Sequence, residues 1–312
     1  TGEAVPVRNG QTVTAQATTD IGDLGAYAAL LGRDIAGAIQ AELTAVVLSD
    51  GMRFDADLTA DTRDLRIDIP QLDPLLAGSG TVIASVAMPA RGVYRVQNLA
   101  IDTDTLRLRT NGRYAEAGQS NAAFDIKITD SQDVIAGLTG PISVTGQAER
   151  ATNGAATIDV NGTGPGATFA LDATIASETG EMRGTLDADV AELGVYRTLA
   201  GMPLAGAVTA NLRGTALPDL SRFDGEISLQ SDNFAIGNPS IDPLFAGSGT
   251  LDGKAVMTAA GLQVERINAQ YPNVQMVGSL ATDDGIGHGQ FDARLAEVSL
   301  IADGISGPAS VR

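Results

Sequence analysis

The chain has 312 residues, no cysteine and a formal net charge of −18 at pH 7. The lack of cysteine excludes disulfides, thiolate catalysis and most zinc sites. The negative charge argues against binding to nucleic acid or to an anionic bilayer, because both require clustered Lys and Arg. Hydrophobic residues make up 44% of the chain, which is enough for extensive burial and argues against disorder.

A long internal repeat is the main feature of the sequence. The segment DLGAYAALLGRDIAGAIQAEL at 23–43 returns as ELGVYRTLAGMPLAGAVTANL at 192–212, at an offset of 169 positions. The same offset relates DPLLAGSGT to DPLFAGSGT, and it relates the tripeptide Arg53-Phe54-Asp55 to Arg222-Phe223-Asp224. Self-similarity at a fixed period predicts a stacked, elongated architecture rather than a globule with one core.

The repeat also sets the expected domain organisation. A third block, GLTGPISV at 137–144, returns as GISGPASV at 304–311 with an offset of 167 positions. We therefore assign residues 1–169 to a first copy with an incomplete start. Residues 170–312 form a truncated second copy that continues from the first, with no independent second domain. On this interpretation the chain is a segment of a longer protein.

Two kinds of short helical turn are predicted in each copy. In LGAYAALLG and LGVYRTLAG the Tyr and Leu residues are spaced for one or two helical turns. These end at Gly32 and Gly201, the residue type that best tolerates a helix C-terminus. DPLL and DPLF predict a second turn, with Asp73 and Asp242 as N-caps and proline at the first helical position. We expect both kinds of turn to separate groups of strands.

Between these turns, apolar and polar residues alternate with a period of two. From Phe54 to Asp61 every even position is apolar and every odd position is polar. Such alternation predicts antiparallel strands with one apolar and one polar face, and about 12 residues per strand and turn predicts roughly 25 strands. We expect a mostly β fold, an elongated repetitive antiparallel sheet curled into a hydrophobic groove. The expected lining residues are Phe54, Leu58, Leu65, Ile67, Ile69, Leu106, Leu108, Phe124, Ile126, Ile128, Phe169, Leu171, Ile175, Leu186, Val190, Ile227, Leu229, Phe234, Ile236, Phe291 and Leu295.

Segments rich in Gly, Asn and Asp predict the tight turns. The expected turns lie at 49–51, 111–112, 152–154, 164–166 and 283–285. The Gly-Ser-Gly segments at 78–80 and 247–249 invite comparison with phosphate-binding loops. They lack the Gly-Lys-Ser/Thr ending and occur at the same place in both copies, which favours a structural turn.

No pattern in the sequence predicts catalysis, a metal site or a resident cofactor. His288 is the only histidine, and without cysteine it does not anchor a common zinc or cysteine-protease site. A solvent-exposed turn residue is the better interpretation. The acidic run Asp102-Thr103-Asp104 lacks the glycine-aspartate nonapeptide of calcium-binding β-rolls, so its carboxylates are assigned to the solvated face of a strand. We therefore do not expect an enzyme.

The segments DLGAYAALLGRDIAGAIQAEL and IDPLFAGSGT, with the long runs of alternating strands, resemble the repeat region of the TamB and AsmA-like proteins. These are bridge-like lipid-transfer proteins of the Gram-negative cell envelope. The resemblance covers nearly the whole chain and includes no catalytic signature. It implies a β-sheet curled along its length into a gutter, the β-taco, which is hydrophobic inside and polar outside.

The resemblance also implies a location and a role. It implies a periplasmic protein that is anchored in the inner membrane through a segment outside this chain. Its groove would carry phospholipid acyl chains between the inner and outer membranes. For the full-length protein it further implies a part in outer-membrane protein assembly, with an outer-membrane barrel as partner.

Alternation by itself leaves three functions open. In the first case the apolar faces line an open lipid conduit. In the second case they pack against each other in a structural rod like an adhesin stalk. In the third case the sheet edges act as a scaffold for unfolded barrel strands. The long unit of 169 residues and the mixed inward residues favour the conduit, because stalk solenoids usually have short rungs of even length.

Overall fold

The computed structural model describes residues 12–48, 53–219, 221–258, 261–283, 286–300 and 306–311. Within these ranges the chain forms 18 β-strands, two short α-helices and six 3₁₀ turns. It divides into two compact units, Thr1–Asn153 and Gly154–Arg312. The prediction of a mostly β, antiparallel fold with short helical turns between groups of strands is confirmed.

The first unit is an antiparallel meander in which each strand pairs with the next along the chain. Its strands are β1 Thr12–Ile21, β2 Ala36–Leu48, β3 Phe54–Arg66, β4 Ser79–Ala90, β5 Val93–Thr103, β6 Leu106–Ala115, β7 Ser120–Ile128 and β8 Ile142–Arg150. Its helical turns are Leu24–Tyr27, which continues as α1 Ala28–Leu31, then Asp73–Leu76 and Ser131–Asp133.

The second unit is a meander of the same kind. Its strands are β9 Ala156–Gly164, β10 Ala167–Ile175, β11 Met182–Val190, β12 Ala205–Ala216, β13 Phe223–Ala235, β14 Ser248–Thr258, β15 Gly261–Gln270, β16 Val274–Asp283, β17 Ile286–Leu295 and β18 Ala309–Val311. Its helical turns are Leu193–Tyr196, which continues as α2 Arg197–Ala200, then Asp242–Phe245 and Val298–Leu300.

The strands are fewer and longer than the sequence analysis predicts. The described residues hold 18 strands rather than roughly 25, because strands such as β2 and β3 run for 13 residues. Asn111 and Gly112 do not form a turn but lie inside β6. The strands approach closely there, since a Cβ on Gly112 would lie 2.5 Å from the carbonyl oxygen of Asn121.

The other predicted turns fall into two groups. Turns at 152–154 and 164–166 are confirmed. So are the helical segments that end at Gly32, with φ 64°, and at Gly201, with φ 66°. The predicted turn at 49–51 and part of the one at 283–285 lie outside the described residues.

Each copy carries the same bulge, near the end of β3 in the first and near the end of β13 in the second. Asp64 has φ 48° and Asn233 has φ 49°, which is the left-handed region that Asp and Asn tolerate better than most residues. Opposite them stand Gly37 and Gly206, where a Cβ would lie 2.5 Å and 2.4 Å from the carbonyl oxygens of Asp64 and Asn233. Only glycine fits this approach, so the bulge explains why both copies keep a glycine at this position.

The strands β3 and β13 end after this bulge, earlier than the alternation predicts. Ile67, Ile69 and Ile236 therefore lie in loops rather than on strands. The Asp73 Oδ1 atom accepts a hydrogen bond from the Ile67 N–H at 2.8 Å, and Asp242 Oδ1 accepts one from the Ile236 N–H at 2.9 Å. The prediction that these aspartates are N-caps is wrong, since the residue before each occupies that position and the carboxylate holds the preceding loop instead.

All described helical turns of a unit lie at the same edge of it. Because neighbouring strands are antiparallel, successive connections alternate between the two edges. Every described helical turn follows an odd-numbered strand, so within a unit these turns share one edge, which we call the helical edge. The connections 91–92, 176–181 and 217–222 follow even-numbered strands and lie at the other edge, the hairpin edge.

The helical edge holds the packed core of each unit. In the first unit Leu75 and Leu76 of the Asp73–Leu76 turn are 3% and 8% exposed and pack with Leu106. In the second unit Phe245 of the corresponding turn lies edge-on to Tyr271, with ring centroids 4.9 Å apart. The Gly-Ser-Gly segment at 247–249 leaves room for this aromatic ring, because a Cβ on Gly249 would lie 2.0 Å from the Tyr271 ring.

The Ser131–Asp133 turn contains a buried hydroxyl with no partner. Ser131 is 0% exposed and its Oγ atom makes no hydrogen bond, and the second copy has Val298 at the equivalent position. We expect Ser131→Ala to stabilise the protein by about 1 kcal/mol, because it removes an unsatisfied buried polar group. Urea unfolding followed by circular dichroism measures the change.

Ser85→Ala is the control and should lower stability slightly, since Ser85 Oγ donates to Asp57 at 2.6 Å. A lower midpoint for Ser131→Ala would contradict the prediction.

Candidate functional site

An apolar pocket of about 710 Å³ lies in the second unit. Seven consecutive strands, β9 to β15, contribute to its lining. The lining residues come from the early part of β11 and β13 and the late part of β10 and β12, so the pocket lies towards the hairpin edge. Its large apolar side chains include Leu171, Leu186, Leu212, Phe223, Ile227 and Ile267.

A row of five small residues crosses this pocket, and we call it the small-residue row. Ala173 pairs with Gly184, Gly184 with Gly214, Gly214 with Gly225, and Gly225 with Ala255. Residues directly opposite each other on neighbouring strands share a face of the sheet. The row therefore runs perpendicular to the strands, and at about 4.8 Å per strand it extends for about 19 Å.

Larger side chains stand on both sides of the small-residue row. Two positions along the strands towards the helical edge, Leu171, Leu186, Leu212 and Ile227 pair in a parallel row. Towards the hairpin edge a second row runs from Ile175 through Met182 and Ala216 to Phe223. The small-residue row therefore lies between two rows of larger side chains in the lining of the pocket.

The glycines of the row differ in how strictly the backbone requires them. A Cβ on Gly184 would lie 2.4 Å from the Asp172 carbonyl oxygen, so a side chain there must displace the neighbouring strand. Gly214 is equally tight. A Cβ on Gly225 would have the Arg213 carbonyl oxygen as its nearest neighbour, at 3.7 Å, which is an ordinary contact. No backbone contact therefore requires glycine at position 225, where glycine weakens the strand. Its effect is to leave space in the pocket.

The first unit carries the same row with larger residues. Ala15, Ala45, Ala56 and Val86 pair across β1 to β4, each 169 positions before its counterpart in the second unit. Methyl and isopropyl groups therefore stand where the second unit has Gly184, Gly214, Gly225 and Ala255. The side chains of the row are therefore smaller in the second unit than in the first.

The predicted lining residues divide among three environments. Leu171, Leu186 and Ile227 line the pocket. Leu65, Ile67, Leu106, Leu108, Ile126, Ile128 and Leu295 belong to the two packed cores at the helical edge. Phe234 contacts Phe245 of the second core edge-on, with ring centroids 6.0 Å apart. The remainder line neither the pocket nor these cores, and they are Phe54, Leu58, Ile69, Phe124, Phe169, Ile175, Val190, Leu229, Ile236 and Phe291.

Strand pairing in the first unit agrees with the alternation on β6 and β7. Leu106 pairs with Ile128 and Leu108 with Ile126, so the even positions share a face as predicted. This stretch does not lie open, because the Asp73–Leu76 turn packs on it and leaves Leu106 only 7% exposed. A filled core occupies this part of the face.

Sequence reasoning missed the residues that make the pocket deep. Gly184 stands between Met182 and Leu186 on β11, and Gly214 stands between Leu212 and Ala216 on β12. Each glycine thus occupies an inward position of an otherwise apolar alternation. A glycine at an inward position was therefore the available signal. It indicates a pocket only where strand pairing places several such glycines side by side.

The opposite face of the strands is polar and partly ion-paired. Asp102 accepts hydrogen bonds from Arg109 and, at 3.0 Å, from Arg107 Nε. The hydrogen bond from Arg109 is the main cause of the lowered pKa of Asp102. This carboxylate is therefore engaged in an ion pair. In the second unit a hydrogen bond to Glu265 raises the pKa of Lys254, whose Nζ lies 2.8 Å from the carboxylate.

The structure also places the residues considered for other chemistry. His288 is exposed as predicted, but it lies on β17 rather than in a turn. In the described ranges no group of three or more His, Asp or Glu side chains is arranged to hold a metal ion. The helices of those ranges are also too short to cross a lipid bilayer.

Comparisons with known proteins identify no relative. The chain matches no protein-family model, no curated protein and no solved structure. The pocket and the repeat are therefore the observations from which a function is argued.

Proposed function

We propose that this chain is a segment of a bridge-like lipid-transfer protein of the TamB and AsmA-like type, and that its apolar face holds phospholipid acyl chains. The observation that carries the proposal is the apolar pocket of about 710 Å³ with its small-residue row. The row extends about 19 Å, and one leaflet of a bilayer holds acyl chains across about 15 Å. An extended acyl chain fits along it.

The chemistry of the pocket supports an apolar cargo. Transfer of a methylene group from water to an apolar surface gains about 0.8 kcal/mol, so a long acyl chain gains enough to bind without specific polar contacts. The polar face of the same strands keeps the sheet compatible with water. In this proposal the full-length protein bridges the periplasm from an inner-membrane anchor to an outer-membrane barrel partner.

The structural rod is the second candidate, and a specific observation favours it. At the helical edge the apolar face is filled, by Leu75, Leu76 and Leu106 in the first unit and by Phe245 and Tyr271 in the second. A rod requires such filling along the whole face. The pocket towards the hairpin edge favours the conduit, because a filled rod has no use for glycine at position 225.

Lipid content distinguishes the two candidates. We expect chain purified from a bacterial host without detergent to retain phospholipid, because an apolar pocket open to water costs about 25 cal/mol per Å² of exposed surface. Lipid extraction followed by mass spectrometry measures the content, with a globular protein of similar charge as the control. A lipid-free preparation that also refuses a tail-labelled phospholipid would exclude the conduit in favour of the rod.

A further inference from the structure

A single charged residue stands on the apolar face of β5 to β8 in the first unit. Leu108 pairs with Ile126 and Ile126 with Val144, so these residues and those at every second position along their strands share this face. Arg150 at the end of β8 is one of them. The other charged residues of these four strands alternate onto the opposite face. A cation on an apolar surface is unfavourable unless an anion meets it.

The guanidinium of Arg150 is held in place against an aromatic ring. Its Cζ atom lies 5.4 Å from the centroid of the Tyr114 ring, and its Nη2 atom donates to the Ala115 carbonyl oxygen and, at 3.2 Å, to Ser120 Oγ. Within the residues that the structure describes, its Nε and Nη1 atoms have no acceptor and no carboxylate pairs with it. The side chain is therefore fixed and keeps donors for an anion.

Two exposed tyrosines adjoin this arginine, and we call Tyr94, Tyr114 and Arg150 the tyrosine–arginine patch. Tyr94 pairs with Tyr114, their ring centroids are 6.4 Å apart, and the two residues are 40% and 51% exposed. Tyr and Arg suit a boundary between an apolar surface and water, because each has an apolar body and a polar tip. The patch lies at the hairpin edge, where β5 begins and where β6 and β8 end.

Small residues lie beside the patch on the same face. Two positions further from the hairpin edge, Gly112 pairs with Ala122 and Ala122 with Ala148. Ala122 is exposed, whereas the packed core of this unit lies at the helical edge. An open apolar surface therefore borders the patch.

The charges around the patch favour an anion. Along β5 to β8 the hairpin edge carries two glutamates, Glu116 and Glu149, against four arginines, which are Arg91, Arg95, Arg113 and Arg150. This edge is therefore locally cationic, although the whole chain has a net charge of −18.

We propose that the tyrosine–arginine patch binds the phosphate of a phospholipid whose acyl chain lies over Gly112, Ala122 and Ala148. The inference rests on the proposed function and adds a headgroup site on the apolar face of the first unit. Arg150 donates to the phosphate oxygens, for which a guanidinium offers a planar set of donors. The tyrosine rings cover the glycerol part of the lipid, which joins the charged group to the acyl chain.

Photoaffinity labelling tests the site on the unchanged protein. The probes are two single-chain lipids with a diazirine in the acyl chain, one with a phosphoglycerol headgroup and one with glycerol alone. Peptide mass spectrometry measures the label on β6 to β8. We expect the phosphoglycerol lipid to label these strands at about one tenth of the concentration that the phosphate-free lipid needs, since it adds a charge-assisted hydrogen bond. Phosphoglycerol without an acyl chain should compete only at far higher concentration, because it lacks the apolar contact.

A matched pair of variants assigns the effect to Arg150. Arg150→Gln should raise the half-labelling concentration of the phosphoglycerol lipid about tenfold and leave that of the phosphate-free lipid unchanged. Arg95→Gln is the control, because Arg95 is exposed at the same edge but on the opposite face, and its labelling should match that of the unchanged protein. Thermal unfolding checks both folds. If Arg150→Gln unfolds, the comparison of the two lipids on the unchanged protein still decides.

Three results would overturn the phosphate site and leave the proposed function standing. These are equal labelling of β6 to β8 by the two lipids, labelling confined to the second unit, and unchanged labelling of a folded Arg150→Gln protein. Competition by free phosphoglycerol at the concentration of the lipid would overturn it as well, in favour of a soluble phosphate compound. If neither lipid labels any part of the chain, the proposed function falls too.

Discussion

Replacing Gly225 by leucine should weaken phospholipid binding by the second unit about a hundredfold and leave the fold intact. The new side chain enters the pocket within the small-residue row, at a position where the nearest atom to its Cβ is 3.7 Å away. If it displaces about four methylene groups of an acyl chain, binding loses about 3 kcal/mol, which raises Kd by roughly a hundredfold. Displacement of a bound tail-labelled phospholipid measures the change, and thermal unfolding confirms the fold.

Two further glycine variants make this test specific. Gly225→Ala fills the row by one methyl group and should reduce affinity only slightly. Gly214→Leu should destabilise the protein instead, because its Cβ would lie 2.4 Å from the Asp224 carbonyl oxygen and 2.8 Å from the Gly225 Cα. A folded Gly225→Leu protein with unchanged affinity would show that acyl chains do not lie along the row.

Leu75→Ala should destabilise the first unit by about 2 to 5 kcal/mol. Leu75 is 3% exposed, and its removal leaves a cavity between the Asp73–Leu76 turn and Leu106. The turn is also held to the sheet by its backbone, since the Leu75 carbonyl accepts hydrogen bonds from Thr103 Oγ1 at 2.7 Å and Thr105 Oγ1 at 2.9 Å. These bonds remain in the variant, so the loss reports side-chain packing. Urea unfolding followed by circular dichroism measures it.

A leucine on another helical turn of the same edge is the matched control. Leu30 on α1 is 82% exposed, so Leu30→Ala should change stability by less than about 0.5 kcal/mol. Equal effects of the two substitutions would mean that the Asp73–Leu76 turn does not cover the apolar face. Lipid binding by the pocket should survive Leu75→Ala, because its lining residues all belong to the second unit.

The amino-acid sequence alone determined the local structure. Alternation with a period of two identified strand segments such as 54–61, because a strand that is buried on one side requires it. Glycine after a Tyr-Leu-Leu pattern identified the helical turns that end at Gly32 and Gly201, because glycine adopts the left-handed conformation there. These relations act between neighbours in the chain, so they need no knowledge of the fold.

The helical caps show where such local rules stop. The Asp73 carboxylate has the sequence context of an N-cap, yet it accepts the Ile67 N–H in the preceding loop. The bulge formed by Asp64 against Gly37 ends β3 and leaves that N–H without a strand partner. A pairing between two distant strands therefore decided the role of the carboxylate.

The tertiary structure also decided which apolar residues are covered and which line the pocket. Leu106 and Leu186 both occupy apolar positions of an alternating strand, yet a helical turn buries the first while the second faces the pocket. The difference arises from their distance to the helical edge and from the size of the residues paired beside them. Gly184, Gly214 and Gly225 line the pocket side by side only because strand pairing places them in one row.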